Sequence, residues 1–324
     1  MNDGLTLLGG ALLLYFGAEW FVGAASALAR TLRVPPLLVG LTVVAYGTSA
    51  PEVMVGVQAA RSGHGAVALG NVVGSNIANL GLILGVCALV RPARVHGALR
   101  ARELPAMGLT ALAVPAVLLD GRVSAAEGVA LLVAALGYTA WMVVGARRSM
   151  LREAARGAEV TADAVESAGA PTARGAWASA LVAAAGLGTL LVGGHLFVRS
   201  AVLLAQRFGV SERVVGLTVV AVGTSLPELV TGVIASRRGH GDIVVGNVVG
   251  SNIFNVLLCL GASALAGAVR ADLGAAGLDL GALLLLTALA SVAMRAERVI
   301  SRVEGGVAVG LYVTYLALTA GVGR

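Results

Sequence analysis

A stretch of 40 residues occurs twice in this chain, first at residues 40–79 and again at residues 216–255. The two copies align at an offset of 176 residues without a gap; 13 of the 40 positions differ, which leaves 27 identical. The similarity fades quickly outside this window. Duplication produces such a repeat, and selection for a site with twofold symmetry would preserve it. The sequence therefore predicts two related halves, each of which carries one copy.

The composition predicts the environment of these halves. Hydrophobic residues make up 58% of the 324 residues, charged residues only 12%, and the mean hydropathy is +0.90. A water-soluble domain cannot bury so much apolar surface, so a lipid bilayer is expected. A helix needs about 20 apolar residues to cross it. Ten stretches are candidates, at residues 4–29, 36–60, 66–90, 103–119, 123–146, 176–205, 212–236, 242–267, 272–293 and 300–321.

One long polar stretch divides the ten predicted helices. Residues 147–175 are rich in charged residues, Ser, Thr, Gly and Pro, as is typical of a linker. The predicted fold is an all-α polytopic membrane protein, with a first membrane region at residues 1–146 and a second at residues 176–324. Five crossings before the linker place the start of the second region on the opposite face of the membrane. The two five-helix repeats should therefore be inverted, as in many secondary transporters, whose site lies near the midplane.

All 23 cationic side chains are arginines, and their distribution predicts the orientation. If the linker is cytoplasmic, 16 arginines fall in inside segments and six in outside segments, while Arg199 lies within a predicted span. The positive-inside rule then places the linker in the cytoplasm and both termini outside a bacterial-type inner membrane. In a soluble protein the pI of about 10.1 would suggest nucleic-acid binding. Here the arginines separate apolar segments, so membrane lipid is expected as a partner and nucleic acid is not; protein partners are left open.

Glu52 and Glu228 occupy matching positions in the two copies and are unusual in so apolar a sequence. Each follows a proline, and Pro51 lacks an N–H while its ring clashes with the carbonyl four residues earlier. The helix should bend or open there, which at membrane depth is tolerated only against protein or a wet cavity. We expect backbone carbonyls near this bend to become free ligands, for example those of Ala45 and Ala221.

Further oxygen donors accompany both glutamates. Thr48 and Ser49 share a helical face with Glu52 if the turn stays roughly helical. The next helix carries polar residues at four-residue spacing, and the second copy repeats this stripe; its members are Asn71, Ser75, Asn79, Asn247, Ser251 and Asn255. With the carboxylates they form an all-oxygen set, and a hard cation such as Ca²⁺ takes about 6–8 oxygens. The sequence offers no Cys or His cluster for zinc or copper.

Several intramembrane polar residues allow other interpretations. A buried glutamate can be a protonated structural hydrogen-bonding group, and Asn or Ser can simply hold helices together, above all Asn76 and Asn252, which point off the stripe. Glu19 aligns with His195 instead of an acid, so a gate, a proton path and a snorkelling side chain all stay open. The remaining candidates have structural interpretations or none: turn residues for His64 and His240, core packing for Cys87 and Cys259, and no assignment for Asp279.

The motifs GTSAPE and GNVVGSNIAN, followed by GTSLPE and GNVVGSNIFN, resemble the two alpha-repeats of the calcium/cation antiporter superfamily, in its sodium/calcium exchanger branch. The resemblance covers both repeats at full length. It implies a central ion site, past which the first and sixth helices slide during alternating access. It implies no enzyme activity and no cofactor; small inorganic cations would bind, with Ca²⁺ moved against Na⁺ or H⁺. The implied ligands are Glu52, Glu228, Thr48, Ser49, Ser75, Asn79, Thr224, Ser225, Ser251 and Asn255, with carbonyl oxygens from Ala45 and Ala221.

Asn255 departs from the pattern of some family members, which carry an aspartate at this position. With asparagine in both repeats the site holds at most two formal negative charges, which match one Ca²⁺. The missing third acid argues against potassium co-transport and leaves Na⁺ and H⁺ open as the coupling ion. The linker contains no acidic calcium-sensor domain, so regulation by one is not expected. Other classes stay open: a cation channel built from the same oxygens, an antiporter for a different cation, and a membrane scaffold without transport.

Overall fold

The computed structural model describes residues 3–32, 34–95, 97, 99–158, 173–207, 223–270, 274, 276–296 and 299–322. Within these ranges the chain is mostly helical. The helices are α1 (Asp3–Leu32), α2 (Pro36–Thr48), α3 (Ala50–Arg61), α4 (Gly65–Val90), α5 (Leu104–Val117), α6 (Ala125–Ala158), α7 (Ala173–Arg207), α8 (Leu226–Arg237), α9 (Gly241–Ala266), α10 (Gly277–Ala296) and α11 (Arg302–Val322). The described residues also contain π-helical turns at Gly40–Val44, Asn79–Ile83, Leu99–Glu103 and Asn255–Leu260.

Six helices in the described part of the chain are long and apolar enough to cross a membrane, or seven if the bent pair α2 and α3 counts as one span. The six are α1, α4, α6, α7, α9 and α10. Large apolar side chains point outward from the helices; Leu5, Met54 and Trp177 expose 68%, 72% and 72% of their surfaces. An apolar outer surface of this kind is costly in water, whereas lipid solvates it. The chain is therefore a helical membrane protein, as its composition predicts.

Helices α2 and α3 are the two parts of one broken helix. Their axes differ by 41°, and the break lies at Ser49, just before Pro51. Helix α8 starts in the same way, because Ser225 (φ −91°, ψ 8°) adopts nearly the backbone conformation of Ser49 (φ −81°, ψ 4°) and Pro227 follows it. The bend predicted at the first proline is confirmed. Residues 208–222, which precede the second proline motif, lie outside the described residues.

Helices α4 and α9 form the interior of the protein. In the apolar segments of α4 and α9, 78% and 94% of the residues are buried, compared with 22–33% in α1, α6, α7 and α10. A π-helical turn begins at Asn79 in α4 and at Asn255 in α9. Such turns are rare and frequently mark functional sites. The polar stripes of the two repeats thus lie on the two most buried of the six long apolar helices in the described ranges.

Helices α1 and α7 approach each other through glycines. A Cβ atom on Gly17 would lie 2.5 Å from the backbone nitrogen of Leu190 and 2.9 Å from the carbonyl oxygen of Gly186. In the same way, a Cβ atom on Gly10 would lie 3.0 Å from the carbonyl oxygen of Gly193. Small residues are what allow such close packing between membrane helices. Because the earlier residue of α1 contacts the later residue of α7, the two helices run antiparallel.

Two short antiparallel ribbons connect the halves. Strand β1 (Ala93–Arg94) pairs with β4 (Val299–Ile300), and β2 (Arg122–Val123) pairs with β3 (Val269–Arg270). Each ribbon therefore joins a turn of the first half to a turn of the second, which fixes the halves against each other at the ends of their helices.

The stretch predicted as a linker begins as helix. Residues 147–158 continue α6, whereas residues 159–172 lie outside the described residues. The helical part is rich in Ala and Arg, which favour helix regardless of their polarity. Charge alone therefore did not show where the helix ends.

Candidate cation site

Both glutamates of the repeated motif lie in the interior, in the first turns of α3 and α8. Glu52 and Glu228 each expose only 1% of their surface. The broken helix aims them at the polar stripes of α4 and α9. The buried polar residues of this cluster are Thr48, Ser49, Ser75, Asn79, Ser225, Asn247, Ser251 and Asn255. We call these residues and the two glutamates the central cluster.

The two halves exchange hydrogen bonds at the glutamates. The Ser49 hydroxyl donates to Oε1 of Glu228 at 3.3 Å, and the Ser225 hydroxyl donates to Oε1 of Glu52 at 3.3 Å. Each carboxylate is thus oriented by the serine that lies three residues before the glutamate of the other half. Two ionised carboxylates repel each other in a low-dielectric interior, so a cation or a proton would stabilise the pair.

Hydroxyl and amide oxygens connect the helix break to α9. Oγ1 of Thr48 lies 3.3 Å from Oδ1 of Asn247, and the Ser49 hydroxyl oxygen lies 3.1 Å from the Ser251 hydroxyl oxygen. The Ser251 hydroxyl in turn reaches Oδ1 of Asn247 at 3.4 Å. These neutral oxygens are positioned by one another, so the cluster is pre-organised on rigid helices.

Three acceptor oxygens of the central cluster are buried and have no hydrogen-bond partner among the described residues. They are Oε2 of Glu52, Oε2 of Glu228 and Oδ1 of Asn79. Leaving a buried acceptor unpaired costs about 1–3 kcal/mol, and more for a charged group. A bound cation would supply the missing partner. No group of three or more His, Cys, Asp or Glu side chains comes together in the described ranges, so neutral oxygens would have to complete its shell.

Some predicted ligands are placed differently from the rest. The Ala45 carbonyl accepts the Ser49 N–H at 3.1 Å, so the expectation that it would be free is wrong. The reason is that the helix breaks only at Ser49, which leaves the turn containing Ala45 closed. Thr224 is only partly buried, and Ala221 lies outside the described residues.

The family described as sodium/calcium exchanger protein matches residues 4–144 and 178–321 of the chain. The chain belongs to this exchanger family. The two matched ranges leave out the whole predicted linker and contain all residues of the central cluster.

Relatives of this exchanger-family chain match it over most of their length. The inner membrane protein YrbG of Escherichia coli (strain K12) is 40% identical over 259 residues, which cover 80% of this chain and 78% of YrbG. The putative antiporter CaxA of Alkalimonas amylolytica is 36% identical over 317 residues, or 95% and 96% of the two chains. The solved structure of the sodium-calcium exchanger NCX_Mj, soaked with Na⁺ and Ca²⁺, is 30% identical, with a TM-score of 0.83 over 98% of each chain. Family and structure together support cation antiport.

Asn76 is a structural residue of this exchanger-family fold. Its Nδ2 donates to the Asn252 carbonyl at 3.1 Å, and its Oδ1 accepts Nδ2 of Asn255 at 3.0 Å. Asn76 therefore holds α4 against α9, and the interpretation of this off-stripe residue as helix packing is confirmed. Oδ1 of Asn255 also has a weak donor, the Cys259 thiol at 3.5 Å. Asn255 is thus committed to protein contacts, unlike its counterpart Asn79.

Sequence reasoning missed Thr231 as part of the polar interior. Its hydroxyl lies three residues after Glu228 on α8, is buried, and has no hydrogen-bond partner in the described ranges. The counterpart in the first half is Val55, so a search for matched polar pairs could not find it. A search for hydroxyls one turn away from the glutamates would have done so.

Glu19 forms an ion pair with Arg238, which lies in the turn between α8 and α9. The two side chains are 23% and 39% exposed, and neither belongs to the central cluster. Burial and the nearby guanidinium groups of Arg238 and Arg30 lower the pKa of His240 in the same turn. The contact thus links α1 to the α8–α9 turn at one end of the molecule.

His64, His240, Asp279 and both cysteines lie outside the central cluster, in turns or among packed helices. His64 and His240 directly precede α4 and α9, each after a glycine with φ 79°, so their prediction as turn residues is confirmed. Asp279 accepts a hydrogen bond from the Tyr315 hydroxyl at 2.8 Å. Cys87 and Cys259 are buried free thiols.

Proposed function

We propose that this protein exchanges Ca²⁺ for Na⁺ by alternating access of one central site to the two sides of the membrane. The observation that carries the proposal is the pair of unpartnered carboxylate oxygens, one from each half, inside a buried cluster of neutral oxygens. The similarity of the chain to a putative antiporter and to a sodium-calcium exchanger supports this activity.

The charge and chemistry of the cluster favour Ca²⁺. Glu52 and Glu228 supply two negative charges, which balance one divalent ion, and hard oxygen donors surround them. The proposed neutral ligands are Thr48, Ser49, Ser75, Asn79, Thr224, Ser225 and Ser251, with the carbonyl of Ala221. Na⁺ prefers the same kind of oxygen, so the two ions compete for one site, and this competition couples their fluxes. A proton can also bind a carboxylate, which makes H⁺ the alternative coupling ion.

The proposal includes ten crossings in two inverted five-helix halves. Helices α1 and α7 occupy matching places in the halves and run antiparallel, as inverted repeats require. The reciprocal serine–glutamate hydrogen bonds and the two ribbons that join the halves support the same symmetry. Besides the six long apolar helices and the bent pair, α5, α8 and α11 would be spans.

We place the protein in a bacterial-type inner membrane, with the linker in the cytoplasm and both termini outside. The arginine asymmetry and the similarity to the inner membrane protein YrbG support this location. A membrane-impermeant thiol reagent applied to intact cells should leave Ser167→Cys unlabelled. The native thiols are buried and give little background. Labelling of that variant from outside would contradict the orientation.

Flux measurements on purified protein in liposomes test the activity. Vesicles loaded with Na⁺ should take up radioactive Ca²⁺, and equal Na⁺ on both sides should stop net uptake. A channel would pass Ca²⁺ without a Na⁺ gradient, and a scaffold would pass none. Replacing the Na⁺ gradient by a pH gradient distinguishes proton coupling from sodium coupling.

A further inference from the structure

A polar cavity of about 410 Å³ lies at the end of α4, apart from the central cluster. Both halves of the chain line it. Arg91, Pro92 and Arg94 follow α4, and the other lining residues, from the end of α8 to the start of α9, are Ser236, Gly239, Gly241 and Asp242. We call this the arginine cavity. It lies at the face of the molecule that the arginine distribution predicts to be cytoplasmic.

Two guanidinium groups dominate the charge of the arginine cavity. Arg91 and Arg94 are exposed, and neither has a carboxylate partner within ion-pair distance among the described residues. Asp242 lines the cavity too, so its lining carries a net formal charge of +1. The Arg91 guanidinium lies across Gly239, where a Cβ atom would be 2.8 Å from Nη1. A glycine with φ 79° thus makes room for a positive group at the cavity wall.

The start of α9 adds to the positive potential. The helix is 26 residues long and begins at Gly241 in the cavity wall, and the side chain of the preceding His240 does not cap it. The first N–H groups of a helix have no intrahelical acceptor, and the helix dipole favours an anion at this end. The two guanidinium groups and the helix start therefore act on the same space.

We propose that the arginine cavity binds the phosphate group of an anionic phospholipid. Leu89 and Val90, which directly precede Arg91, expose 42% and 38% of their surfaces, so an acyl chain can lie against them while the headgroup reaches the guanidinium groups. Basic pockets between helices on the cytoplasmic side are typical sites for such headgroups. The cytoplasmic location rests on the proposed orientation, whereas the phosphate chemistry rests on the lining alone.

The arginine cavity lies between the two halves of the chain, so a bound lipid can affect the stability of the whole fold. One wall follows α4, which carries Ser75 and Asn79, and the other joins α8, which carries Glu228, to α9. A phosphate held by both walls would tie the two halves together near the helices of the central cluster. Bound anionic lipid should therefore raise the unfolding temperature.

The repeat supplies a matched control for this cavity. At the offset of 176 residues, Arg94 corresponds to Arg270, and Arg91 corresponds to Gly267. The equivalent turn of the second half thus has an exposed arginine in a ribbon but lacks the second guanidinium. Arg270→Gln removes the same charge as Arg94→Gln without touching the cavity.

The test is lipid binding by purified protein in detergent, measured by native mass spectrometry and by thermal unfolding. The probes are phosphatidylglycerol, phosphatidylcholine with the same acyl chains, and inorganic phosphate. Wild-type protein and Arg270→Gln should retain phosphatidylglycerol in preference to phosphatidylcholine. The double variant Arg91→Gln/Arg94→Gln should bind phosphatidylglycerol about tenfold to thirtyfold more weakly, because each cation near a membrane surface contributes about 1 kcal/mol.

Equal retention of phosphatidylglycerol by wild type and the double variant overturns the proposal, as does an equal loss in Arg270→Gln. Stabilisation by inorganic phosphate that disappears in the double variant supports the phosphate site and assigns free phosphate as its source. The single variants Arg91→Gln and Arg94→Gln, with smaller losses expected, keep the test decisive if the double variant does not fold. Lipid binding is measured without transport, so its failure is distinct from a failure of Ca²⁺ exchange.

Discussion

At the centre of the molecule the two halves make the same contact twice, whereas at their ends they do not. The Ser49–Glu228 and Ser225–Glu52 hydrogen bonds are both 3.3 Å long and are related by exchange of the halves. At one end Glu19 pairs with Arg238, but the counterparts of these residues are His195 and Ser62, which cannot form that ion pair.

The difference between the centre and the ends of the helices follows from the surroundings of each region. A site that opens alternately to both sides of a membrane presents the same ligands to an ion from either direction, so a twofold arrangement suits it. The ends of the helices face two different compartments and two different lipid leaflets, and no symmetry is required of them. Residues matched between the halves are therefore candidates for the transport site, and unmatched ones are candidates for stability, lipid contact or control.

Removing either central carboxylate should have the largest effect. Glu52→Gln and Glu228→Gln keep the side-chain shape but leave a divalent ion with one anionic partner, and an uncompensated buried charge costs about 3–5 kcal/mol. Each variant should bind Ca²⁺ at least about a hundredfold more weakly, as measured by Ca²⁺-dependent exchange in liposomes.

Glu103→Gln is the matched control for these variants. Glu103 is a buried glutamate outside the central cluster and accepts a hydrogen bond from Tyr138, which glutamine can still accept. This variant should keep its Ca²⁺ affinity. Normal affinity in either of the central variants would place the transport site elsewhere and make the Pro-Glu motif structural.

The repeat made the centre of the site accessible to sequence reasoning. Two nearly identical motifs favour equivalent local structures, so a bend at Pro51 implied the same break before Pro227, and both glutamates were expected to face one point. The bend could be predicted from the sequence because proline lacks a backbone N–H donor in every sequence context.

The unmatched contacts could not be predicted in the same way. Asn76 and Asn252 are the same residue type at equivalent positions, yet Asn76 bridges to α9 while Asn252 donates to Val248 in its own helix. Side-chain rotamers and distant partners decide such differences, and neither is encoded in local spacing. The Glu19–Arg238 pair joins residues 219 positions apart, so no periodicity could reveal it.

A second prediction tests the packing of the matched helices α1 and α7. Gly17→Ala adds a Cβ atom 2.5 Å from a backbone nitrogen, which the helices can accept only by moving apart. We expect a loss of about 1–3 kcal/mol in unfolding free energy, as for other overpacked interiors. Gly9→Ala on the same helix is the control, because its Cβ meets nothing within 4 Å. Equal thermal unfolding of the two variants would argue against this close contact.

A third prediction separates two matched asparagines. Asn79 has an unpartnered amide oxygen, whereas the Asn255 amide is held by Asn76 and Cys259. Asn79→Ala should therefore lower Ca²⁺ affinity about tenfold with little change in thermal stability, because it removes one oxygen from a charged ligand. Asn255→Ala should lower thermal stability, since it leaves the Asn76 oxygen unpaired. Identical profiles for both variants would mean that the two asparagines act alike.

The smallest effect is expected at the unmatched ion pair. Glu19 and Arg238 are partly exposed, and pairs of that kind contribute about 0–1 kcal/mol. Glu19→Gln and Arg238→Gln should each change Na⁺-driven Ca²⁺ uptake by less than about fivefold. Because the two residues share one contact, the double variant should show the effect of a single variant and not the sum. Ca²⁺ uptake by right-side-out and inside-out vesicles that contain each of the three variants measures these effects. The comparison of the two vesicle orientations also shows whether the ion pair favours access from one side of the membrane. Loss of transport in Glu19→Gln alone, with Arg238→Gln unaffected, would give Glu19 a direct contact with the transported ion and break the rule that only matched residues form the site.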